Sequence, residues 1–322
     1  MKEVSVVIPN YNGIAYIRPC LDSLLQQKFR NFEILVVDNG SEDGSREAVQ
    51  REYPGVRLIG LPDNTGFCHA VNVGIEASEA SYIILLNNDT LVHPDFVLNM
   101  LEGIRKHPKA FSCAAKMVQM TDHEKIDDAG DYYCALGWAF ARGKGKPEKR
   151  YRRSCRIFTS CAGAAIYKKE LLEKTGLFDE EHFAYLEDMD LGYRARIMGY
   201  ENWFLPDAVV YHAGSGTSGS RYNLFKIRYS SRNNVYMIYK NMPVLQILLN
   251  LPLLAAGFGI KLIFFAAKGY GREYAAGIKN GFSLSLQGRR QGRKVRFAWK
   301  NFKNYAAIQL QLWINIIRRL MG

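Results

Sequence analysis

The chain has 322 residues, 48% hydrophobic and 23% charged, an ordinary globular content that predicts one or two domains and excludes a disordered or low-complexity chain. Its net charge of +12 is uneven: residues 221–322 hold 18 Lys/Arg against one acid, Glu273, while residues 1–220 hold 25 basic and 30 acidic residues and are net −5. A slightly acidic region followed by a strongly basic, apolar tail points to nucleic acid or an anionic membrane surface.

Met1-Lys2-Glu3-Val4 leads straight into a strand, so no signal peptide is expected there. Cys20, Cys68, Cys113, Cys134, Cys155 and Cys161 form no C-x-x-C pair and no metal-ligand spacing. They predict reduced thiols in a cytosolic setting rather than a disulfide framework.

Residues 4–8 are a compact β-branched strand, ended by Pro9-Asn10-Tyr11-Asn12-Gly13. Ile14, Ile17, Leu21, Leu24 and Leu25 then recur at helical spacing. A second strand, residues 32–37, ends in Asp38-Asn39-Gly40-Ser41, and a polar helix to Tyr53 leads to a third strand at 56–59. Asn64-Thr65-Gly66-Phe67 opens a helix through Ala70, Val73 and Ala77, where free N–H groups suit an anion or a simple N-cap. Tyr82–Leu86 then reads as a buried strand that stops at Asn87-Asn88-Asp89-Thr90. Strands alternating with helices predict a mostly parallel α/β sheet whose ligands sit beyond the strands' carboxyl ends. Asp89 therefore reaches the sheet rim, where a hard oxygen ligand suits Mg²⁺ or Mn²⁺ against a diphosphate. An Asx turn or N-cap before His93-Pro94-Asp95 is the competing reading.

Residues 107–160 are less informative. The basic loop from Gly143 to Arg153 reads as a solvated turn, with contact to an anionic acceptor as the alternative. Residues 159–167 read as an apolar strand, and Ala162-Gly163-Ala164-Ala165 suits either tight packing or the close approach of a sugar. Glu187, Asp188 and Asp190 follow, an acidic first turn that the helix dipole favours. His212 ends an apolar strand begun at Ala208.

The ordered set Ile8-Pro9-Asn10-Tyr11-Asn12, Val37-Asp38-Asn39-Gly40-Ser41, Asn64-Thr65-Gly66-Phe67 and Leu85 to Thr90 resembles glycosyltransferase family 2. The likeness continues through Ala162-Gly163-Ala164-Ala165, Gly176-Leu177-Phe178-Asp179-Glu180, the stretch from Leu186 to Arg194, and Tyr211-His212, covering roughly residues 3–240. It implies a GT-A fold: a mixed, mainly parallel Rossmann-like sheet flanked by helices, using a nucleotide-sugar donor with inversion. The subgroup suggested holds rhamnosyl- and galactofuranosyltransferases. The resemblance implies donor contacts from Pro9, Asn10, Asn12, Asp38, Asn39, Asn64, Gly66, Asn87, Asn88 and Gly163, with Asp38 on a uracil- or thymine-type base. It makes Asp188 the catalytic base, with Glu187 shaping its surroundings or contacting acceptor. Asp89 and His212 become ligands of a divalent metal, Mg²⁺ or Mn²⁺. Members usually carry an acid where this chain has Asn87.

Gly214-Ser215-Gly216-Thr217-Ser218-Gly219 fits G-x-G-x-x-G, but no acid lies between Arg221 and Arg272 to hold a ribose, so a dinucleotide site is excluded. The segment is expected to be a lid, ordered by donor diphosphate with Arg221 or Arg228 nearby. No P-loop pattern occurs. Arg228-Tyr229-Ser230-Ser231-Arg232-Asn233-Asn234 resembles the family's exit from the catalytic domain, and the processive Q-x-x-R-W signature is absent, implying one sugar per encounter.

Beyond Pro243, Gln246, Asn250, Gly257, Lys261, Lys268 and Arg272 are spaced 4, 7, 4, 7 and 4. At about 100° per residue they share one narrow stripe on a long apolar helix. That pattern predicts a helix lying in a bilayer interface; a transmembrane span and a helix packed on the catalytic domain are the competitors. Arg289 to Arg296 is polybasic, and Phe297, Trp299, Phe302, Tyr305 and Trp313 supply interfacial aromatics in a final amphipathic helix.

The expectation is therefore a catalytic domain over 1–240 and a basic, helical membrane-associating region over 241–322. The expected activity moves sugar from a UDP- or dTDP-sugar to a lipid-linked or surface-polysaccharide acceptor, at the cytoplasmic face of an anionic membrane and without nucleic acid. Oligomeric state is open. The rivals are a sugar nucleotidyltransferase, whose Gly-rich, Arg-containing loop is missing after the first strand, and a noncatalytic nucleotide-sugar or carbohydrate sensor.

Overall fold

The computed structural model describes residues 2–214 and 223–321. The apolar runs become inner strands of one ten-stranded sheet, since strands covered on both faces have no side to give to water. β1 (Val4–Asn10), β2 (Phe32–Asn39), β3 (Arg57–Leu61) and β4 (Tyr82–Leu86) are parallel in the order β4-β1-β2-β3. They are joined by α1 (Ile14–Leu25), α2 (Ser45–Glu52) and α3 (Phe67–Ala77). Then come β5 (Thr90–Val92), α4 (Phe96–Arg105), β6 (Ala110–Gln119), β7 (Asp122–Asp128), the hairpin of β8 (Asp131–Cys134) and β9 (Trp138–Ala141), and β10 (Cys155–Ile157). β11 (Ala164–Lys168) lies antiparallel between β4 and β6, followed by α5 (Lys169–Thr175) and α6 (Glu187–Ile197). β12 (Glu201–His212) runs parallel to β6 and antiparallel to β5 and β10. The mixed, mainly parallel α/β architecture is thus present.

Alternation along β1 sends Val6 and Ile8 to the layer that holds Leu21, Leu24 and Met100, and Val7 to the opposite layer with Val71, Ile75 and Leu172. Several expected strand bounds change: β1 and β2 run on to Asn10 and Asn39, and β12 begins at Glu201 rather than Ala208. β3 starts one residue later and runs to Leu61, because it pairs with β2 out to Asn39. The run expected as a strand over 159–167 pairs in the main sheet only from Ala164. Before it the chain turns, with Ala164 N–H donating to Cys161 O and Thr159 Oγ1 to Asp188 O.

The tail forms α7 (Leu224–Asn241), α8 (Val244–Ala267), α9 (Gly271–Arg290) and α10 (Phe302–Met321). Its Leu254, Tyr305, Ile308 and Leu312 share one apolar cluster with Tyr133, Phe158, Met189 and Tyr193. The polar stripe does not run through one helix to Arg272, because α8 ends at Ala267 and the chain turns at Gly269, whose φ is +82°. Nor does the stripe face headgroups. Gln246 accepts from Tyr193 Oη at 3.0 Å and donates to Gln309 at 3.0 Å; Asn250 exchanges bonds with Gln309 at 2.8 Å and accepts from Trp313 at 3.1 Å. Gly257 lies so close to Leu136 O that a Cβ would sit 2.0 Å away. Buried amides require partners, so the stripe's Gln246, Asn250 and Gly257 turn inward while Lys268 and Arg272 stay exposed, and the apolar circumference faces outward, leaving Leu245 78% and Ile263 73% exposed.

α7 is locked to α6 by a buried ion cluster. Lys240 Nζ donates to Asp179 at 2.7 Å and Asp190 at 2.9 Å; Arg194 Nε and Asn241 Nδ2 also bond Asp190, at 3.0 and 2.7 Å. Burial alone would raise the Asp190 pKa, but the Lys240 and Arg194 charges hold it far below the carboxylate range. A depressed folded pKa contributes stability that is present above the unfolded value and lost as pH falls through the folded one. Asp190→Asn should therefore cost about 3–5 kcal/mol near neutral pH, since Lys240 stays buried with a partner removed. It should also flatten the acid limb of the urea-midpoint profile below about pH 4. An unchanged profile would remove Asp190 as the source of that limb.

Candidate active site

The carboxyl ends of β1, β2 and β4 open onto a cleft of about 950 Å³. At one end, Asn88 Nδ2 donates to Asn10 Oδ1 at 2.7 Å and Asn10 Nδ2 to Asp38 Oδ2 at 3.0 Å. Gly13 is required here: a Cβ would lie 2.1 Å from Asn88 Nδ2 and 2.3 Å from Asn10 Oδ1. Asn39 Nδ2 donates to Asn64 Oδ1 at 3.1 Å and to Gly66 O at 3.2 Å, and Gly66 has φ +90° with Phe183 filling the space a Cβ would need. Pro9, Asn10, Asn39, Asn64, Gly66, Asn87, Asn88, Asp89, Gly163, Glu187, Asp188 and His212 all line the cleft.

Asp38 and Asn12 do not. Asp38 is fully buried, held by Asn10 and by Ser41 N–H at 3.1 Å, beneath the asparagine-lined end of the cleft. Asn12 is exposed and accepts from Glu42 N–H at 2.9 Å, bracing the neighbouring loop instead. Arg228 is turned away from the cleft by its ion pair with Glu273. Residues 215–222, which include most of the expected lid and Arg221, lie outside the described residues.

Pairing of β5 with β12 sets Thr90 opposite His212, which brings Asp89 beside the ring. His212 Nε2 lies 3.3 Å from Asp89 Oδ1, and Nδ1 lies 2.7 Å from Asp127 Oδ2. Burial would lower the His212 pKa, but the hydrogen bonds to Asp127 and Asp89 raise it to about 9. A carboxylate orienting one imidazole nitrogen while the other faces a second carboxylate fits a divalent cation held by Asp89 and His212. Two oxygen/nitrogen donors leave coordination positions for phosphate oxygens and water.

Asp127, Asp128 and Asp131 are the residues the sequence reading missed. The available signal was Ile126 followed by Asp-Asp and then Gly130-Asp131 at a turn. Asp128, Asp131 and Cys161 place ligand atoms within 4.8 Å of one another in the cleft wall. Burial and the neighbouring acids push Asp131 and the Cys161 thiol well up. Asp179, His182 and Asp190 also cluster, but Lys240 already supplies their cation.

Glu187 and Asp188 begin α6, next to a strained turn in which Phe183, Tyr185 and Leu186 have φ of +61°, +70° and +65°. Asn233 pins that turn, donating to His182 O, Ala184 O and Tyr185 O at 2.7–2.8 Å. Such strain persists only where surroundings over-determine it. Burial raises both carboxyls, and the Asp188 charge pushes Glu187 further. The two carboxyls therefore titrate as a pair, with Glu187 carrying the added push of the Asp188 charge.

A model described as Glycosyl transferase family 2 matches residues 5–176. An uncharacterized glycosyltransferase of Rickettsia prowazekii is 28% identical, over 59% of this chain and 58% of its own length; the chain thus spans less than two thirds of that relative. An N-acetylglucosaminyl-diphospho-decaprenol L-rhamnosyltransferase of Mycobacterium tuberculosis is 27% identical, over 66% of this chain and 77% of its own. The mannosyltransferase PcManGT of Pyrobaculum calidifontis, solved with GDP-Man and Mn²⁺, shares the fold at 18% identity and TM-score 0.54, covering 91% of this chain and 88% of that one. S. aureus TarS 1-349 with UDP-GlcNAc does so at 18% identity and TM-score 0.55, covering 92% and 94%.

Proposed function

The chain belongs to glycosyl transferase family 2, and we propose that it moves single sugars from a UDP- or dTDP-sugar to a lipid-linked or surface-glycan acceptor, with inversion. The observation that carries this reading is that one cleft holds the asparagine-lined end, the Asp89–His212 pair and the Glu187–Asp188 pair. In this reading Asn10, Asn39, Asn64 and Gly66 hold base and ribose, and Asn87, Asn88 and Gly163 approach the diphosphate. Asp89 and His212 would hold Mg²⁺ or Mn²⁺, which when bound offsets charge on the diphosphate. Asp188 takes the proton of the acceptor hydroxyl as its oxygen bonds the anomeric carbon. The bond to the diphosphate breaks on the opposite side, and nucleoside diphosphate leaves. Protonated Glu187 donates a hydrogen bond to the acceptor. The diphospho-lipid in the mycobacterial relative's name supports a lipid-linked acceptor here.

The same proposal places the protein on the cytoplasmic face of a membrane. α8 is long and apolar enough to cross one, but its inward polar stripe is packed on the catalytic region, which supports a helix lying in the interface. In the polybasic run, Arg293 pairs with Glu181 at 2.8 Å, and Lys294 donates to Tyr239 O and Met242 O. Arg289, Arg290 and Arg296 remain exposed for anionic lipid. All six cysteines are free, consistent with a reducing compartment. The division at 240/241 is one of function, because the shared core makes the tail part of the fold. A chain cut near Met242 is consequently expected to lose its fold rather than merely its anchor.

Asp188→Asn should leave nucleotide binding nearly intact and lower kcat by about 10²–10⁴-fold, with Glu187→Gln milder. Transfer assays that rank the two in reverse would exchange their roles, and a product of retained anomeric configuration would reject inversion. Chelator should abolish transfer and Mn²⁺ or Mg²⁺ restore it, with Asp89→Ala weakening nucleotide-sugar binding; full activity of Asp89→Ala in chelator would refute the metal assignment. The full chain should sediment with anionic vesicles and resist stripping by high salt. Leu245→Glu with Ile263→Glu should release it without unfolding, since both sites are exposed, whereas undiminished sedimentation of this double variant would exclude α8 as the anchor.

A further inference from the structure

A second cavity of about 610 Å³ shares Asp127, Lys144 and His212 with the catalytic cleft and ends at Lys261, Phe265 and Tyr274, where α8 turns into α9. Two polar groups in its far wall lack a matching partner. Among the described residues the Lys261 ammonium meets only the Trp138 ring, 5.9 Å from its centroid. Tyr274 is 3% exposed, and its hydroxyl has no hydrogen-bond partner among the described residues. Burial pushes the Tyr274 pKa up, so the hydroxyl remains a donor at any physiological pH. A cation and a buried donor facing one cavity call for an anionic oxygen, because each is costly while unmatched.

The surroundings choose the rest of the ligand. Asp127, the carboxylate at the inner end, is occupied by His212 and Lys144 and so repels an anion little. Phe265 stacks on Tyr274 with centroids 5.0 Å apart, forming an apolar wall. Leu262, Ile263 and Phe264, on the same turn of α8, are exposed on the outer face. The geometry points to a phosphate ester of a long apolar alcohol: Lys261 and Tyr274 bind its phosphate, its chain leaves along α8, and its remaining end reaches the Asp127–His212 wall. This deepens the lipid-linked acceptor reading and rests on it.

The full chain in detergent micelles tests the site with farnesyl diphosphate, inorganic diphosphate and farnesol as probes. Farnesyl diphosphate should bind at least about tenfold more tightly than either fragment. Lys261→Met should weaken that binding about tenfold or more, the scale of a lost charge-assisted hydrogen bond. Tyr274→Phe, which removes one oxygen and keeps the stacked ring, should weaken it several-fold, and Lys261→Arg should retain it. UDP affinity, read on the same samples, should stay unchanged and serve as the control for folding. Equal farnesyl diphosphate binding by wild type, Lys261→Met and Tyr274→Phe would overturn the site. So would displacement of farnesyl diphosphate by UDP, which would place it in the donor cleft. Inorganic diphosphate binding as tightly as farnesyl diphosphate would overturn the lipid part. Sugar transfer by the wild type is measured separately, so absence of transfer with probe binding intact would reject the glycosyltransferase reading without touching the site.

Discussion

The buried charges of α7 hold the site together. Lys240 draws Asp179 and Asp190 onto one ammonium, and this ties the stretch before α6, α6 itself and the start of the tail into one unit. Seven residues earlier on the same helix, Asn233 takes three carbonyls of the strained 182–185 segment. His182 O also accepts from Ala184 N–H and from Arg232 Nη2, so the turn is held from several sides. With the turn pinned, α6 starts at Glu187 and presents two consecutive carboxyls to the cleft. Losing the latch would therefore displace the start of α6 and with it Glu187 and Asp188 in the cleft wall.

Carboxyls packed together in a dry cleft cannot all ionise, and the structure sorts them by what each one faces. Asp127 is pulled down to about 2 by His212 and Lys144 in spite of its burial. Asp131, buried and facing other acids, is pushed well up. Glu187 is pushed above Asp188 by the charge next door. Acidic residues of identical chemistry are thus held at different proton affinities by what each one faces.

The tail answers two demands with one helix. Its polar stripe satisfies Gln309, Tyr193 and Trp313 within the protein, while Leu245, Leu248, Leu249, Leu251 and Ile263 of its apolar circumference are exposed. An aqueous surface does not tolerate that much contiguous apolar area. Because the stripe is docked, the catalytic cleft is held at a set height and orientation relative to whatever α8 lies in. The cavity at Lys261 and Tyr274 is where these two surfaces meet.

The amino-acid pattern alone determined the βαβ frame and the polar strand ends that form its rim, Asp89 among them, whereas only the resemblance to the family marked Asp188 and His212. The frame and its rim are local matters: period-two and period-3.6 hydrophobicity place a residue at a strand end or helix start whatever lies around it. Which polar residues look into the cleft was decided only by tertiary packing. Asp38 was legible as a strand-end carboxylate, yet the approach of Asn10 and Ser41 encloses it. Asp127, Asp128 and Asp131 sat in a stretch with little periodicity, and only the pairing of β7 with β6 beside β12 carries Asp127 to His212. The stripe on α8 was legible, but its direction was not, since a polar stripe suits water, headgroups or buried amides equally. Gln309 and Trp313, about sixty residues onward, decide it, because a hydrogen bond in a dry interior depends on which partner arrives and not on the spacing along the helix.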